Sequence, residues 1–298
     1  MACLAAALFC GVAFLWRRAR VRGLGAWQAA ALAALAVALG WVFARLFYFG
    51  ARSGLLVPMH GWGAVVDLRP QGLALSGAVI GLLLAGWLGG RMLKQPAHRL
   101  LDLMAAPASL TLMLARLGEF PVSLGQGDYV AGALFQRFPF AVQNEWGEWY
   151  WAIFLLEALA ALWMLAYALR ATPRPDGAIW QGALVILCLT QILCESLRAE
   201  AIKWGFVRVQ QLAAVLALAA LLAVRLAAAG KRGQPAGILL LRALGFVACV
   251  GLLIGLEFAL DRWREVPHWA LYLAMAAVLA AMGALLHQNT AYFDGRRR

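Results

Sequence analysis

The chain has 298 residues, 64% of them hydrophobic and 13% charged, with a net charge of +12 and a mean hydropathy of +0.78. That is too apolar for a soluble domain and fits a polytopic membrane protein. The basic residues sit in short loops between apolar runs, so the positive charge reports membrane orientation and not nucleic-acid binding.

Nine apolar segments follow one another at 2–16, 24–49, 71–90, 101–117, 150–170, 178–196, 206–228, 236–260 and 267–287. A helix needs about 20 residues to cross the hydrocarbon core. The first segment is short for this and the fourth somewhat so. The expected fold is an all-α transmembrane helix bundle of about nine helices, with thirty glycines suited to close helix packing. The first segment does not read as a signal peptide, because Arg17, Arg18, Arg20 and Arg22 follow it instead of preceding it.

The loops set the expected orientation. Basic residues follow the first segment (Arg17 to Arg22), the third (Arg91, Lys94, Arg99), the fifth (Arg170, Arg174) and the seventh (Lys231, Arg232), and Arg296, Arg297 and Arg298 end the chain. The acids Asp67, Glu119, Asp128, Glu145, Glu148, Glu200, Asp261 and Glu265 occupy the alternate loops. The alternation predicts the N-terminus outside and the C-terminus in the cytoplasm. If the short first segment does not span, only the N-terminus changes side. The one long outer connection, 118–149, carries Gly125, Gly127 and Gly132 and an aromatic-rich stretch from Phe135 to Trp149. It reads as an arm lying in the membrane interface.

Cys3, Cys10, Cys188, Cys194 and Cys249 lie in apolar runs without metal-ligand spacing and read as small buried hydrophobes. The histidines are scattered. No zinc site is implied.

The charges inside or at the ends of apolar segments carry the functional reading. Arg45 lies deep in the second segment, with Tyr48 one turn later. Gly72 to Gly81, containing Ser76 and Gly77, opens the third. Arg116, Gly118 and Glu119 close the fourth, and Glu195 and Arg198 close the sixth. Each acid–base pair is three residues apart, on one helical face. Arginines on neighbouring helices can bind phosphate oxygens bidentately. They suggest a clamp for a phospholipid headgroup, which could also stabilise charge on a leaving phosphate. Structural ion pairs and small-residue packing are the plainer readings of the same residues. Glu157 and Glu257 stand isolated in apolar helices, and each needs a partner or a proton.

Over about residues 20–228 the chain resembles the prolipoprotein diacylglyceryl transferase family, bacterial membrane enzymes of lipoprotein maturation. Gly72 to Gly81 is similar to that family's Gly-x-x-x-His-Gly-Gly-x-x-Gly segment, and Asp102 to Phe120 to its aspartate-led helix ending Gly-Arg-x-Gly-Asn-Phe. Phe138-Pro139-Phe140-Ala141 resembles its aromatic-Pro-aromatic-Ala, Glu195-Ser196-Leu197-Arg198 its Glu-Phe-Phe-Arg, and Val209-Gln210-Gln211-Leu212 its Gly-Gln-x-Leu. Arg45 and Tyr48 fall where the family has Gly-Arg followed by aromatics.

The resemblance implies transfer of diacylglyceryl from phosphatidylglycerol, or a related anionic phospholipid, to the lipobox cysteine of a preprolipoprotein at the bacterial inner membrane. Arg116 and Arg198 would grip the phosphate, and Gly127 would match a family glycine. No cofactor is implied. It also implies a core over 1–228, followed by two additional helices and a basic tail over 229–298.

The departures are specific. Ser76 stands at the family's histidine, Glu119 at its asparagine, and Leu124 at its glutamate. Asn144 to Tyr150 does not match the Arg-His-Pro-Ser-Gln-x-Tyr-Glu stretch. Serine cannot replace histidine as a base near neutral pH. Glu119 could take that role, or could instead neutralise the clamp. A catalytically silent lipid- or lipoprotein-binding relative is the alternative reading.

Overall fold

Each apolar run folds as a helix because lipid offers its backbone no hydrogen-bond partner. In the computed structural model, which describes residues 2–66, 72–170, 176–204, 207–263 and 265–294, with side chains up to residue 287 in the last stretch, nine helices are long and apolar enough to cross a membrane. They are α1 (Ala2–Val21), α2 (Ala26–His60), α3 (Leu75–Leu93), α4 (Ala97–Leu117), α5 (Ile153–Arg170), α6 (Ala178–Leu197), α7 (Val209–Gly230), α8 (Ala236–Arg262) and α9 (His268–Asp294). The chain is therefore a polytopic all-α bundle, as expected. Asp67, Arg174 and Arg296 to Arg298 lie outside the described residues.

α2 runs well past the expected end near residue 49. No strong breaker interrupts the chain until Pro58, and the helix stops at Gly61, whose φ of 67° is favourable for glycine. The Gly61 N–H closes the last turn on the Val57 carbonyl at 2.9 Å.

The described residues divide into two units: 1–187 with 197–210, and 188–196 with 211–298. In the first, α4 packs against α1, α3 and α5, and α2 against α1 and α3. The α2–α3 contact is nearly backbone to backbone. A Cβ on Gly77 would sit 2.8 Å from Ala44 Cα, and one on Gly81 2.8 Å from Gly40 Cα. Asp102 of α4 accepts the N–H groups of Gly177 (2.6 Å) and Trp180 (2.8 Å), so a carboxylate from one helix caps the positive end of α6.

In the second unit α8 packs against α9. Its buried side chains include Leu218, Leu253, Met275, Met282 and Leu286. Glu257 of α8 finds its partners here: Gln211 Nε2 donates to it at 2.6 Å, and the Ser196 hydroxyl hydrogen-bonds the same oxygen.

The 118–149 connection is folded. Strand β1 (Ala141–Gln143) pairs antiparallel with β2 (Trp149–Trp151), and Tyr129 bridges to Tyr150. Phe138, Phe140 and Trp146 are exposed on this arm. A smaller hairpin joins β3 (Lys203–Trp204) to β4 (Val207–Arg208). Cys188, Cys194 and Cys249 are buried as expected, whereas Cys3 and Cys10 lie on the exposed face of α1.

Asp102→Ala should lower stability by about 1–2 kcal/mol, the range for loss of a helix N-cap. Thermal unfolding of the detergent-solubilised protein reads this directly. Asp102→Asn, which keeps an acceptor oxygen, should recover part of the loss.

Candidate functional site

α4 ends at Leu117, and the chain turns back at once, with the Glu119 N–H bonded to the Arg116 carbonyl at 3.1 Å. This keeps Arg116 and Glu119 together as their spacing predicts, and Arg116 Nη1 donates to Glu119 Oε1. α5 begins where β2 ends and places Glu157 in its second turn. α6 ends at Leu197, so Arg198 is no longer helical and its backbone forms a bridge with Gly127.

These three stretches close a ring of charge. Arg198 Nη2 lies 2.7 Å from Glu119 Oε2 and 2.7 Å from Glu157 Oε2. Arg116 Nε lies 3.2 Å from the same Glu157 oxygen. Each carboxylate thus meets both guanidinium groups, and the formal charges cancel. The side chains are 5% (Glu157) to 19% (Glu119) exposed. Burying four charges is tolerable only because they are paired. Removing one partner of such a set costs about 3–5 kcal/mol. Three of the four carboxylate oxygens accept from arginine. Glu157 Oε1 is buried without a hydrogen-bond donor, and so is Arg198 Nε without an acceptor.

Glycines shape the ring's edge. Gly125 has φ of 68°, and a Cβ there would run into Glu119 Oε2 and sit 3.0 Å from Arg198 Nη2. The Gly125 carbonyl accepts from Phe154 N–H at 2.8 Å. Gly127 lies as close to the strand, 2.8 Å from the Leu197 carbonyl for a Cβ. Arg208 Nη1 donates to the Arg198 carbonyl at 3.1 Å and steadies it from the other side.

The remaining candidates have different surroundings. Arg45 is buried, and its Nε, Nη1 and Nη2 donate to the carbonyls of Val65, Gly72 and Ala64. It ties the connection between α2 and α3 together. Tyr48 lies under the guanidinium, 5.6 Å from ring centre to Cζ. Ser76 sits half-buried in the first turn of α3, and no hydrogen bond joins its side chain to the charge ring among the described residues. Gly77 is at the α2–α3 contact, and Gly118 packs against Cys3 of α1, 2.6 Å from its Cβ for an added methyl. Glu195 belongs to the second unit, where Gln191 Nε2 donates to it at 3.1 Å. The predicted Glu195–Arg198 spacing assumes a continuing helix. The strand-like bridge at Arg198 breaks that assumption, and Arg198 turns to Glu119 and Glu157.

Sequence reasoning left Glu157 without a partner and gave Gly125 no part in the site. The signal for the first was present, since an acid alone in an apolar helix needs a counter-charge. Its partners lie 41 residues away in Arg198 and in the preceding helix, beyond the reach of any local pattern.

Among the described residues no group of three or more histidine, cysteine, aspartate or glutamate side chains is arranged to hold a metal. What the ring offers is two guanidinium groups converging beside two carboxylates, an arrangement suited to an anionic ester and a proton in transit. Residues 2–227 match the family model described as prolipoprotein diacylglyceryl transferase. The chain belongs to the prolipoprotein diacylglyceryl transferase family. Curated relatives named phosphatidylglycerol–prolipoprotein diacylglyceryl transferase include one from Clostridium novyi (strain NT), 28% identical over 182 residues, covering 59% of this chain and 67% of that protein. Another, from Clostridium botulinum (strain Langeland / NCTC 10281 / Type F), is 27% identical over 160 residues, covering 52% and 63%. A third, from Clostridium perfringens (strain 13 / Type A), is 24% identical over 166 residues, covering 53% and 63%. The matched stretch thus spans about two thirds of these relatives' own length.

Gly125→Ala should open the ring as well as strain the backbone. Gly23 has φ of 86° with nothing near its Cβ position, so Gly23→Ala reports the strain alone, about 1–2 kcal/mol. Gly125→Ala should exceed it by at least about 1 kcal/mol in thermal or denaturant unfolding. Equal losses would mean that Gly125 matters only for its φ.

Proposed function

We propose that this family member transfers diacylglyceryl from phosphatidylglycerol, or a related anionic phospholipid, to the lipobox cysteine of a preprolipoprotein. The observation that carries the reading is the convergence of Arg116 and Arg198, to which the resemblance of their motifs gives the phosphate, on one buried site. The protein acts as a multi-pass enzyme of the bacterial inner membrane. Its N-terminus lies outside and its C-terminus inside, by the charge alternation of the loops, and the ring and the arm face the outer leaflet.

The cysteine sulfur attacks the glyceryl carbon. The C–S bond forms, the C–O bond to phosphate breaks, and glycerol-1-phosphate departs with the electron pair. Arg116 and Arg198 stabilise the charge that collects on the phosphate. The phosphate enters by exchanging with carboxylate oxygens that hold the guanidinium groups in its absence, so the arginines stay aligned and paired in both states. Arg198 Nε is a donor already turned to the interior with no acceptor.

The thiol proton needs an acceptor, and Ser76 is not one. Both oxygens of Glu119 accept from arginine. Glu157 Oε1 does not, and we assign the proton to Glu157, with Glu119 as the residue that positions the two arginines. Ser76 at the family's histidine favours a second reading, in which the protein binds phospholipid or lipoprotein without turnover.

Purified protein incubated with phosphatidylglycerol vesicles and a lipobox peptide should yield thioether-linked diacylglyceryl peptide and free glycerol phosphate. Arg116→Ala should abolish both products. Glu157→Gln should cut turnover at least about 100-fold, the lower end for loss of a general base, while phosphatidylglycerol still raises the melting temperature. Glu119→Gln should reduce turnover less. A folded wild-type protein that binds the lipid and makes no product would establish the second reading.

A further inference from the structure

Beside the ring lies an open cleft of about 330 Å³, bounded by the arm on one side and the chain just past α6 on the other. Its polar lining is Ser123, Gln126, Asn144, Glu145, Tyr150 and Glu200, with Trp146 as a largely exposed aromatic wall. Among the described residues no arginine or lysine lines it. The floor includes Gly127 and Ala199. Gly127 is the residue that bridges to Arg198, and Ala199 follows Arg198 directly, its N–H bonded to the Gln126 carbonyl at 3.2 Å. Cleft and ring are thus two faces of one short piece of paired backbone.

The hairpin that forms the outer wall is pre-set. The Asn144 side-chain oxygen accepts the N–H groups of Trp146 and Glu148 (2.9 Å each), and Tyr150 Oη donates to Glu148 at 2.9 Å. The Glu148 carboxylate so close to the phenol raises the Tyr150 pKa above its ordinary value.

The chemistry of this cleft is opposite to that of the arginines. Two carboxylates without a basic residue repel phosphate, which argues against a second headgroup site. Amide, phenol and carboxylate groups beside an exposed tryptophan suit an extended polypeptide that carries hydroxyl or basic side chains. We infer that this cleft receives the acceptor polypeptide immediately downstream of its reactive cysteine, and that it selects against acidic residues there. This rests on the transferase reading. It adds a specificity site, held in register with the ring by the Gly127–Arg198 bridge.

The test measures binding apart from turnover. Fluorescent lipobox peptides with Ser, Lys or Glu at the three positions after the cysteine are titrated against the full-length protein in phosphatidylcholine nanodiscs. The Lys and Ser peptides should bind at least about tenfold more tightly than the Glu peptide. In Glu145→Gln/Glu200→Gln, both exposed sites that should not disturb folding, the difference should fall below about threefold. Phosphatidylglycerol-induced thermal stabilisation should be unchanged in that variant. A photoreactive residue in place of Trp146 should crosslink to the downstream positions. Equal binding of the three peptides, or a preference that survives in the double variant, overturns the proposal whatever the turnover. Displacement of the peptide by soluble glycerol phosphate from the Trp146 crosslink would make the cleft a headgroup site and also overturn it. Charge selection without product would uphold the cleft and refute the transferase reading.

Discussion

Two guanidinium groups and two carboxylates, nearly sealed from solvent, constrain this protein more than any other set of contacts. Four charges cannot be left in such a place unless each has an opposite neighbour. The neighbours come from the end of α4, the start of α5 and the residue just past α6. The need to meet fixes the ends of those elements at one point. It also explains the glycines. The chain after Glu119 must fold back over the ring without side-chain bulk, and Gly125 and Gly127 are where it does so. The arm's hairpin then grows from that return. The local backbone between Gly125 and Phe154 exists to cover a charge cluster, and the aromatic residues Phe120 and Phe154 pack beside it at 5.9 Å between ring centres.

A ring of this kind can remain folded without substrate, because the arginines are not left with unbalanced charge. The same neutrality sets a condition on ligands. An incoming anion has to offer the guanidinium groups at least what the carboxylates already give, and a phosphate, with its charge and several acceptor oxygens, is a group of that kind. The second unit uses another solution for buried acid. Glu257 is held by amide and hydroxyl groups from α6 and α7.

The helices were legible in the sequence because lipid imposes a length and a composition at once, and six of the nine expected segments end within three residues of the observed helices, with α1 and α9 running five and seven residues further. α2 was not, because residues 50–60 are neither apolar enough to read as a span nor polar enough to read as a loop, and helix termination there depends on Pro58 and Gly61. Within the site, Arg116 and Glu119 were legible as neighbours because they are three residues apart and a tight turn at the end of α4 keeps them together. Arg198 was legible as important but not in its pairing, since the pairing depends on leaving helical geometry one residue earlier. Glu157 was legible only as a residue in need of company. The resemblance to a family pointed to the arginines, while the substituted positions Ser76 and Glu119 left the proton path to be read from which oxygen atoms are already engaged.

Asp102 shows a consequence of a different sort. The carboxylate that caps α6 sits 75 residues before the first amide it accepts. Synthesis runs from the N-terminus, so the acceptor has emerged and taken its place in α4 well before the donors of Gly177 and Trp180 leave the ribosome. When α6 enters the membrane, the open amides at its start meet a waiting carboxylate and need not search for one. The start of α6 is thereby given its docking position by the order of translation itself.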